Sequence, residues 1–487
     1  MDDLAFADAT SLAKKIQSKA ISSSELLSHY VRRMDKYNPE INAIVVTQLE
    51  KATQRAKEAD AALAKGENWG PLHGVPMTVK ESYDIAGLPT TYGDPANREN
   101  IADTDAVACQ RLQEAGAVIF GKTNVPIHLA DLQSYNEIYG VTGNPFNLSR
   151  TPGGSSGGSA AALAAGLTGL EMGSDIGGSI RNPAHFCGVF GHKPTWGILP
   201  TRGHALKGTL TPGDISVIGP LARSAEDLKL VMDLVAGADD LHSPGWTLAL
   251  PEPKQVSLKD YKIAVWLDDA LAPVDDTVKE RVLQVARLVE AAGGQVDYDA
   301  RPDFNVEVSH DLYTQLLHAA MSSRQSAEVF DSNLKRLHKL EENDQSQLAK
   351  ITRASTLYYK DWNAYNESRT QLRWAWHEFF KGYDLLLTPM CATSAFAHDH
   401  NPKLSQRLIA VNNNPVSYYD QVFWAGLTGV SYLPSTVVPT GLDHQGLPIG
   451  VQIVSREMGD LYCIEFARKV SQQIGGFVAP PAYAGAS

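Results

Sequence analysis

The sequence is poor in cysteine, and this scarcity excludes two kinds of stabilised protein. Only four of the 487 residues are cysteines, and no two of them form a CxxC pair. We therefore expect neither a disulfide framework nor a zinc site, and predict four buried free thiols instead. Free thiols are typical of a reducing compartment, so the composition predicts a cytoplasmic protein.

Long apolar runs and an excess of positive charge are also missing. No apolar run reaches the roughly 18 residues that a membrane-spanning helix needs, and the acidic N-terminus lacks the pattern of a signal peptide. The formal net charge is −12. Because a nucleic-acid groove requires clustered lysine and arginine, we expect neither a nucleic acid nor a membrane as a partner.

Motifs for metals and nucleotides are scarce as well. Five histidines lie in the first half of the chain, but none has the HExxH spacing of a zinc protease. The Gly/Ser-rich segments lack the GK[ST] ending of a phosphate-binding loop. The sequence therefore predicts no metal and no cofactor.

Helical patterns and short apolar strands alternate along most of the chain. A helix is predicted at residues 103–115 before a strand at 117–120, and a helix at 276–292 before a strand at 295–298. The same alternation reaches both ends, so residues 1–487 are predicted to form one compact α/β domain.

Other local predictions concern the segments around the Gly/Ser-rich region and beyond it. A helix at 159–166 and a strand at 167–172 are predicted there, whereas residues 190–197 are typical of a loop. Residues 304–382 are predicted to be mostly helical, with their aromatic side chains in the core. The wider segment 304–430 is expected to shape the substrate pocket.

Two Gly/Ser-rich segments, residues 150–159 and 173–181, are the most concentrated feature of the chain. Glycine allows backbone N–H groups to turn inward without a Cβ in the way. Successive N–H groups that enter a helix also form an anion site. Ser179 stands at the end of such a turn, where a nucleophile is expected.

Residues 153–157 also match the G-x-S-x-G pattern of a nucleophile elbow, centred on Ser155. That elbow requires a strand that runs directly into it, whereas residues 145–152 form a proline-bounded loop. A Ser/Gly-rich string matches the pattern easily by chance. We therefore do not assign the nucleophile to Ser155.

Both Gly/Ser segments resemble the signature of the amidase signature family, and residues 74–80 resemble the lysine motif of that family. Ser155 follows Lys80 by 75 residues and Ser179 follows Ser155 by 24, as expected of family members. Shorter stretches at 121–124, 144–145, 192–195 and 446–452 are also similar. The resemblance is stronger over residues 70–230, the predicted catalytic core, than in the C-terminal part.

The resemblance implies a Ser–Ser–Lys triad in a fold whose mixed central sheet is covered by helices on both faces. Ser179 would attack the substrate carbonyl and form an acyl-enzyme. Ser155, preceded by a cis peptide bond, would connect Ser179 to the general base Lys80. The oxyanion hole would consist of the backbone N–H groups of Ile176, Gly177, Gly178 and Ser179. The supporting residues would be Ser156, Asp175 and Arg181.

Lys80 can act as a base near neutral pH only if its pKa is lowered. A free lysine has a pKa near 10.4, so holding the amine neutral at pH 7 costs about 4.6 kcal/mol. Burial can lower a lysine pKa this far. The apolar strand at residues 75–79, which leads into Lys80, predicts such burial.

The predicted function is hydrolysis of the C–N bond of a small acyl or aryl amide, with carbamates and esters as further candidate substrates. The alternative is the glutaminase subunit of a tRNA-dependent amidotransferase, a protein of the same fold that needs partner chains. Residues 196–203 differ from the run associated with that glutaminase. A non-catalytic binding protein is disfavoured because Lys80, Ser155 and Ser179 are all present.

One stretch departs from the family pattern. After Asn124-Val125-Pro126, where many members carry Glu, this chain continues with Ile127. The stretch lies close to the acyl pocket of the family. The candidate substrate contacts are therefore Leu129, Asp131 and Gln133. The sequence leaves open which amide is cleaved, the pH optimum and whether the chain forms a homodimer.

Overall fold

The computed structural model of the protein describes residues 2–484, in which helices and short strands alternate. The helices are α1 (Asp2–Ala5), α2 (Ala9–Gln17), α3 (Ser23–Ile41), α4 (Leu49–Ala64), α5 (Val107–Glu114), α6 (Gly157–Ala164), α7 (Arg181–Cys187), α8 (Ala225–Val235), α9 (Asp276–Ala291), α10 (Val306–Ser322), α11 (Ala327–Leu337), α12 (Gln347–Ala354), α13 (Tyr359–Phe379), α14 (Phe423–Gly429) and α15 (Asp460–Ile474). The strands are β1 (Ile44–Thr47), β2 (Pro76–Lys80), β3 (Val118–Thr123), β4 (Tyr135–Asn136), β5 (Gly140–Val141), β6 (Glu171–Asp175), β7 (Phe190–Lys193), β8 (Val217–Ala222), β9 (Lys262–Val265), β10 (Gln295–Asp297), β11 (Leu385–Pro389), β12 (Leu408–Val411), β13 (Asn414–Ser417), β14 (Ser435–Leu442) and β15 (Pro448–Val454).

Eight strands form one mixed sheet in the order β10-β9-β11-β15-β14-β7-β8-β6. Strand β9 runs parallel to β10 and β11, and the other neighbours are antiparallel. A second sheet has the order β1-β3-β2. The N–H of Thr78 in β2 donates to the carbonyl of Leu170, just before β6, at 3.3 Å. The two sheets therefore meet where β2 lies beside β6.

Helices cover both faces of the eight-stranded sheet, as the family resemblance implied. Consecutive side chains of a strand point to opposite faces, so neighbouring residues of β14 sample both. Val437 belongs to a buried cluster with Ala160 of α6 and Ala184 of α7. Val438 belongs to a cluster with Leu228 of α8. The apolar face of each helix layer is thereby removed from water.

Helix α6 is completely buried because it is built almost entirely from glycine, alanine and serine. The small residues let its backbone approach the chain that follows β3. An ideal Cβ on Gly158 would lie 2.3 Å from the amide nitrogen of Asn124 and 2.9 Å from the carbonyl oxygen of Ala43. This close packing fixes the position of the first Gly/Ser segment.

Both ends of the described chain are tied to its centre. The Arg33 guanidinium in α3 donates to the carbonyls of Ala165 (2.9 Å) and Tyr483 (3.1 Å). At the start of α2 the N–H groups of Ala9 and Thr10 donate to the Asp227 carboxylate at 2.7 and 2.9 Å. These contacts support the prediction of one domain. Over residues 2–484, no helix has the length and apolar character that crossing a membrane requires.

Several local predictions need correction. Residues 190–197, predicted as a loop, contain β7, which pairs with both β14 and β8. Glycine and proline gave this segment a loop signal, but pairing on both sides overrides local preference. The strand predicted at 167–172 runs instead over Glu171–Asp175, so the second Gly/Ser segment begins inside a strand.

The aromatic residues of α13 and its N-terminal flank are also divided differently from the prediction. Trp376 is fully buried in a cluster with Trp266 and Trp424. Tyr359 and Trp374, by contrast, are 79% and 64% exposed. Only part of the aromatic content of residues 304–382 therefore contributes to the core.

We expect Gly158→Ala to lower the free energy of unfolding by about 1–3 kcal/mol, because the added methyl group overlaps backbone atoms that cannot rotate away. Urea or thermal unfolding measures the effect. The matched control is Gly245→Ala, where an added Cβ has nothing within 4 Å, and it should leave the midpoint unchanged. Equal midpoints for the two variants would contradict the tight packing of α6.

Candidate active site

The residues predicted to be catalytic meet at the junction of the two sheets. Lys80 is the last residue of β2, Ser155 lies two residues before α6, and Ser179 lies two residues before α7. All three are buried, with Ser179 5% exposed. Because β2 lies beside β6, a lysine 75 residues away from Ser155 reaches the Gly/Ser segments.

The Lys80 amine is surrounded by serine hydroxyls. Its Nζ lies 2.6 Å from Ser155 Oγ, 3.0 Å from Ser156 Oγ and 3.0 Å from Ser174 Oγ. Burial lowers the pKa of Lys80 well below its ordinary value, although the negative charge of Asp175 acts in the opposite direction. The environment therefore favours the neutral amine, which can accept a proton.

The contact between Ser179 and this group runs through the backbone. The N–H of Ser156 donates to the carbonyl of Ser179 at 3.1 Å. The peptide bond between Gly154 and Ser155 is cis, as the family resemblance implied. Among the residues that the structure describes, no hydrogen bond joins the Ser155 and Ser179 hydroxyls. The structure thus contains the Lys80–Ser155 half of the predicted relay.

The Asp175 carboxylate holds the second Gly/Ser turn together. It accepts hydrogen bonds from the N–H groups of Gly178 (2.9 Å) and Ile180 (3.0 Å) and from the Arg181 guanidinium (2.8 and 3.0 Å). Burial by itself raises the pKa of Asp175, but the positive charge and hydrogen bonds of Arg181 lower it to about 2. Arg181 also donates to Gln452 at 2.8 Å, which connects the turn to β15.

The backbone N–H groups of the turn divide into two sets. Gly178 donates to Asp175, does not line the cavity, and has a φ of 103° that favours glycine. Its predicted part in the oxyanion hole is therefore not seen in this structure. The N–H groups of Ile176, Gly177 and Ser179 have no acceptor among the described residues, and these three residues line the cavity. They are available to an oxygen atom of a ligand.

Sequence reasoning missed two residues that organise the site. Ser174 supplies the third hydroxyl beside Lys80, and it would have been noticed had the strand been extended to Asp175. Asn182 joins the two Gly/Ser segments. Its side-chain amide donates to the carbonyls of Gly154 (2.6 Å) and Gly178 (2.9 Å). No pattern in the sequence distinguishes Asn182 from an ordinary residue of a helix start.

A cavity of about 370 Å³ opens from Ser179, which is within the range of small-molecule sites. Its walls come from the loop after β3, from α10 and α12, and from the segment around β13. The side chains that line it include Leu129, Leu132, His310, Thr314, Leu317, His318, Met321, Gln347, Lys350, Tyr418, Tyr419, Asp420 and Val422. The Tyr313 hydroxyl of α10 donates to the carbonyl of Ile176 at 3.3 Å, which fixes α10 over the turn.

The three predicted substrate contacts have different positions. Leu129 and Asp131 line the cavity, whereas Gln133 lies outside the lining and is hydrogen bonded to the backbone of Asp399 at 2.6 and 3.1 Å. The Asp131 carboxylate accepts from Arg407 (2.6 Å) and from the Tyr418 hydroxyl (2.6 Å). Asp131 and Gln133 therefore hold the wall of the cavity in place, and Gln133 is not a substrate contact here.

The histidines of the first half of the chain have structural partners. His185 lies 3.0 Å from the carbonyls of both Gly450 and Thr393, and His192 lies 3.1 Å from Asp460. Within residues 2–484 no group of three or more His, Cys, Asp or Glu side chains is arranged to hold a metal ion.

Comparison with known proteins gives matches along nearly the whole chain. The family model described as Amidase matches residues 25–464. Indoleacetamide hydrolase of Bradyrhizobium diazoefficiens is 32% identical over 484 residues, covering 96% of this chain and 86% of that protein. A glutamyl-tRNA(Gln) amidotransferase subunit of Lachnospira eligens is 32% identical over 473 residues, covering 92% and 94%. A solved chain from a vestigial protein complex, studied for the origins of an s-triazine catabolic enzyme, has a TM-score of 0.81 at 28% identity, covering 97% of this chain and 100% of that chain.

We expect the rate at which a fluorophosphonate labels Ser179 to fall about tenfold per pH unit once the pH drops below the lowered pKa of Lys80. Below that pKa the amine is protonated and cannot accept a proton, whereas above it the rate reaches a plateau. In Lys80→Met the rate should drop by roughly 10²–10⁴-fold at the plateau, with the inflection lost. The exposed-lysine control Lys229→Met should keep the full profile. An inflection that persists in Lys80→Met would exclude Lys80 as the base.

We also expect Arg407→Met to lower the free energy of unfolding by about 3 kcal/mol, because it leaves the buried Asp131 charge without its cation. The loosened wall should show faster amide hydrogen exchange over residues 399–422. Arg287→Met removes a comparable but exposed ion pair with Glu280 and should change neither measurement. Unchanged exchange in Arg407→Met would show that this contact does not hold the wall.

Proposed function

The chain belongs to the amidase signature family of amide-cleaving hydrolases, and on that premise we propose that it hydrolyses a small, uncharged carboxylic amide through a Ser179 acyl-enzyme. One observation carries the proposal. The amine of a buried lysine with a lowered pKa lies 2.6 Å from Ser155, beside a cavity that contains Ser179 and unoccupied N–H donors.

In the first half of the proposed reaction, the neutral Lys80 amine takes the proton of Ser155 while Ser155 takes that of Ser179. This step requires the Ser179 hydroxyl to turn toward Ser155, and catalytic hydrogen bonds are often long until substrate is bound. Ser179 Oγ then attacks the carbonyl carbon. The negative charge on the carbonyl oxygen is stabilised by the N–H groups of Ile176, Gly177 and Ser179.

In the second half, the proton held at Lys80 returns through Ser155 to the leaving nitrogen. The C–N bond breaks, and ammonia or an amine departs, which leaves the acyl group as an ester on Ser179. Water then attacks this ester, with its proton taken by the same relay. The products are a carboxylic acid and the regenerated Ser179 hydroxyl.

The charges around the cavity support an uncharged acyl group. The charged lining residues are Asp131, Asp311, Lys350 and Asp420. Lys350 is paired with Asp311 at 2.9 Å, and Asp131 is paired with Arg407. No unpaired cation of the lining remains among the described residues to bind a substrate carboxylate. Aliphatic or aryl amides suit this surface, and carbamates and esters present the same carbonyl group to Ser179.

The second candidate is a glutaminase subunit of a tRNA-dependent amidotransferase. It is favoured by the 32% identity to the glutamyl-tRNA(Gln) amidotransferase subunit of Lachnospira eligens over 92% of this chain. Such an activity would have to bind the α-carboxylate of glutamine. The pairing of Lys350 with Asp311 disfavours this binding, so we rank the candidate second.

We further propose that the protein works in the cytoplasm without a nucleic-acid partner. All four cysteines are buried and free, which suits a reducing compartment. The net charge of −12 would repel a phosphate backbone.

Assay of the purified chain alone on phenylacetamide, acetanilide, a phenyl carbamate, an aryl ester and L-glutamine tests the function. We expect at least one uncharged amide to be hydrolysed with kcat/KM well above that of glutamine. Ser179→Ala should lower kcat by roughly 10⁴-fold or more, because the acyl-enzyme cannot form. Thermal unfolding verifies that the variant is folded. Turnover of glutamine alone, or full activity of Ser179→Ala, would contradict the proposal.

A further inference from the structure

We propose that His318 is a specificity residue of this cavity, whose imidazole accepts a hydrogen bond from an N–H or O–H group on the ring of an arylalkyl amide. This role rests on the proposed amide hydrolysis and specifies the acyl group that the cavity prefers. His318 lies on α10 and lines the cavity together with Ser179.

The position of His318 follows from the geometry of α10. His310, Thr314, Leu317, His318 and Met321 all line the cavity, and their spacing places them on one face of the helix. Tyr313 fixes the helix above the catalytic turn through its hydrogen bond to Ile176. His318 follows Tyr313 by five residues, which is about 7.5 Å along the axis. This distance matches the reach of an arylmethyl group from its carbonyl carbon to the far edge of the ring.

The His318 side chain is polar but has no partner in the protein. It makes no hydrogen bond, ion pair or ring contact with the rest of residues 2–484. Burial lowers the pKa of His318 to about 4, and no neighbouring charge contributes. The imidazole is therefore neutral near pH 7, with one N–H donor and one nitrogen lone pair. A half-buried acceptor without a partner gains free energy from a ligand that supplies a donor.

The neighbours of His318 indicate what kind of group would reach it. Leu317 and Met321 on the same face provide apolar surface, and a methionine sulfur packs well against aromatic rings. The polar groups nearby are mostly acceptors. The Thr314 hydroxyl already donates to the carbonyl of His310 at 3.0 Å, and Asp420 contributes a carboxylate. A flat ring that carries a donor complements this surface, whereas an anionic group does not.

The decisive measurement compares kcat/KM for two pairs of amides that differ in one donor: 4-hydroxyphenylacetamide against phenylacetamide, and indole-3-acetamide against its N-methyl derivative. In the wild-type protein the donor-bearing member of at least one pair should be favoured about threefold to tenfold, as expected for one hydrogen bond to a neutral group. His318→Phe should reduce this ratio to about one and leave phenylacetamide turnover nearly unchanged. His318→Gln, which restores an acceptor, should recover part of the ratio.

The exposed-histidine control is His377→Phe, which should leave both ratios as in the wild type. His318→Leu provides a second variant in case the phenylalanine side chain is too large for the fold. Ratios near one in the wild-type protein, or a donor preference that persists in His318→Phe and His318→Leu, would overturn the role of His318.

A binding measurement separates failure of this role from failure of the proposed function. Dissociation constants of the same amides are measured by calorimetry on Ser179→Ala, with and without His318→Phe. If the wild-type protein hydrolyses none of the amides, the proposed function fails. A threefold to tenfold donor preference in binding that disappears with His318→Phe would still support His318. Equal dissociation constants for both members of each pair would overturn it.

Discussion

The burial of the Lys80 amine among three serine hydroxyls is the interaction on which the rest of the site depends. Taking a lysine out of water disfavours its charged form, and the hydroxyls of Ser155, Ser156 and Ser174 give the amine polar partners without adding a charge. The lysine reaches them only because β2 lies beside β6. The closeness of the first Gly/Ser segment depends in turn on the glycines of α6, which let two backbones touch.

A few residues away, burial has the opposite outcome. Asp175 stays ionised, since Arg181 and two backbone N–H groups stabilise its charge. The same segment thus contains one buried group driven toward its neutral form and one kept charged, and the difference lies in their partners. The neutral amine suits proton transfer, whereas the fixed charge pair gives the turn a single shape. Rigid N–H groups of that turn can stabilise an oxyanion without reorganising.

The sequence predicted the chemistry of the site better than its orientation. Spacing and composition identified Lys80, Ser155 and Ser179, because residue types with an unusual chemical purpose leave a local pattern. The direction of the Gly178 N–H and the distance of Gln133 from the cavity depend on contacts with Asp175 and Asp399, which no local pattern encodes. Strand β7 was missed for the same reason, since its two neighbours come from distant parts of the chain.

The contact of Arg407 with Asp131 joins parts of the chain that are 276 residues apart. On one side lies the stretch that follows β3 and leads into the reactive serines, and on the other lies the hairpin of β12 and β13. The residues that recognise the acyl group are therefore encoded separately from those that break the bond. Substitutions in the hairpin and in α10 can accumulate without disturbing Lys80 or Ser179. Such a division makes the recognition surface free to diverge under selection for new substrates while the bond-breaking apparatus is inherited unchanged.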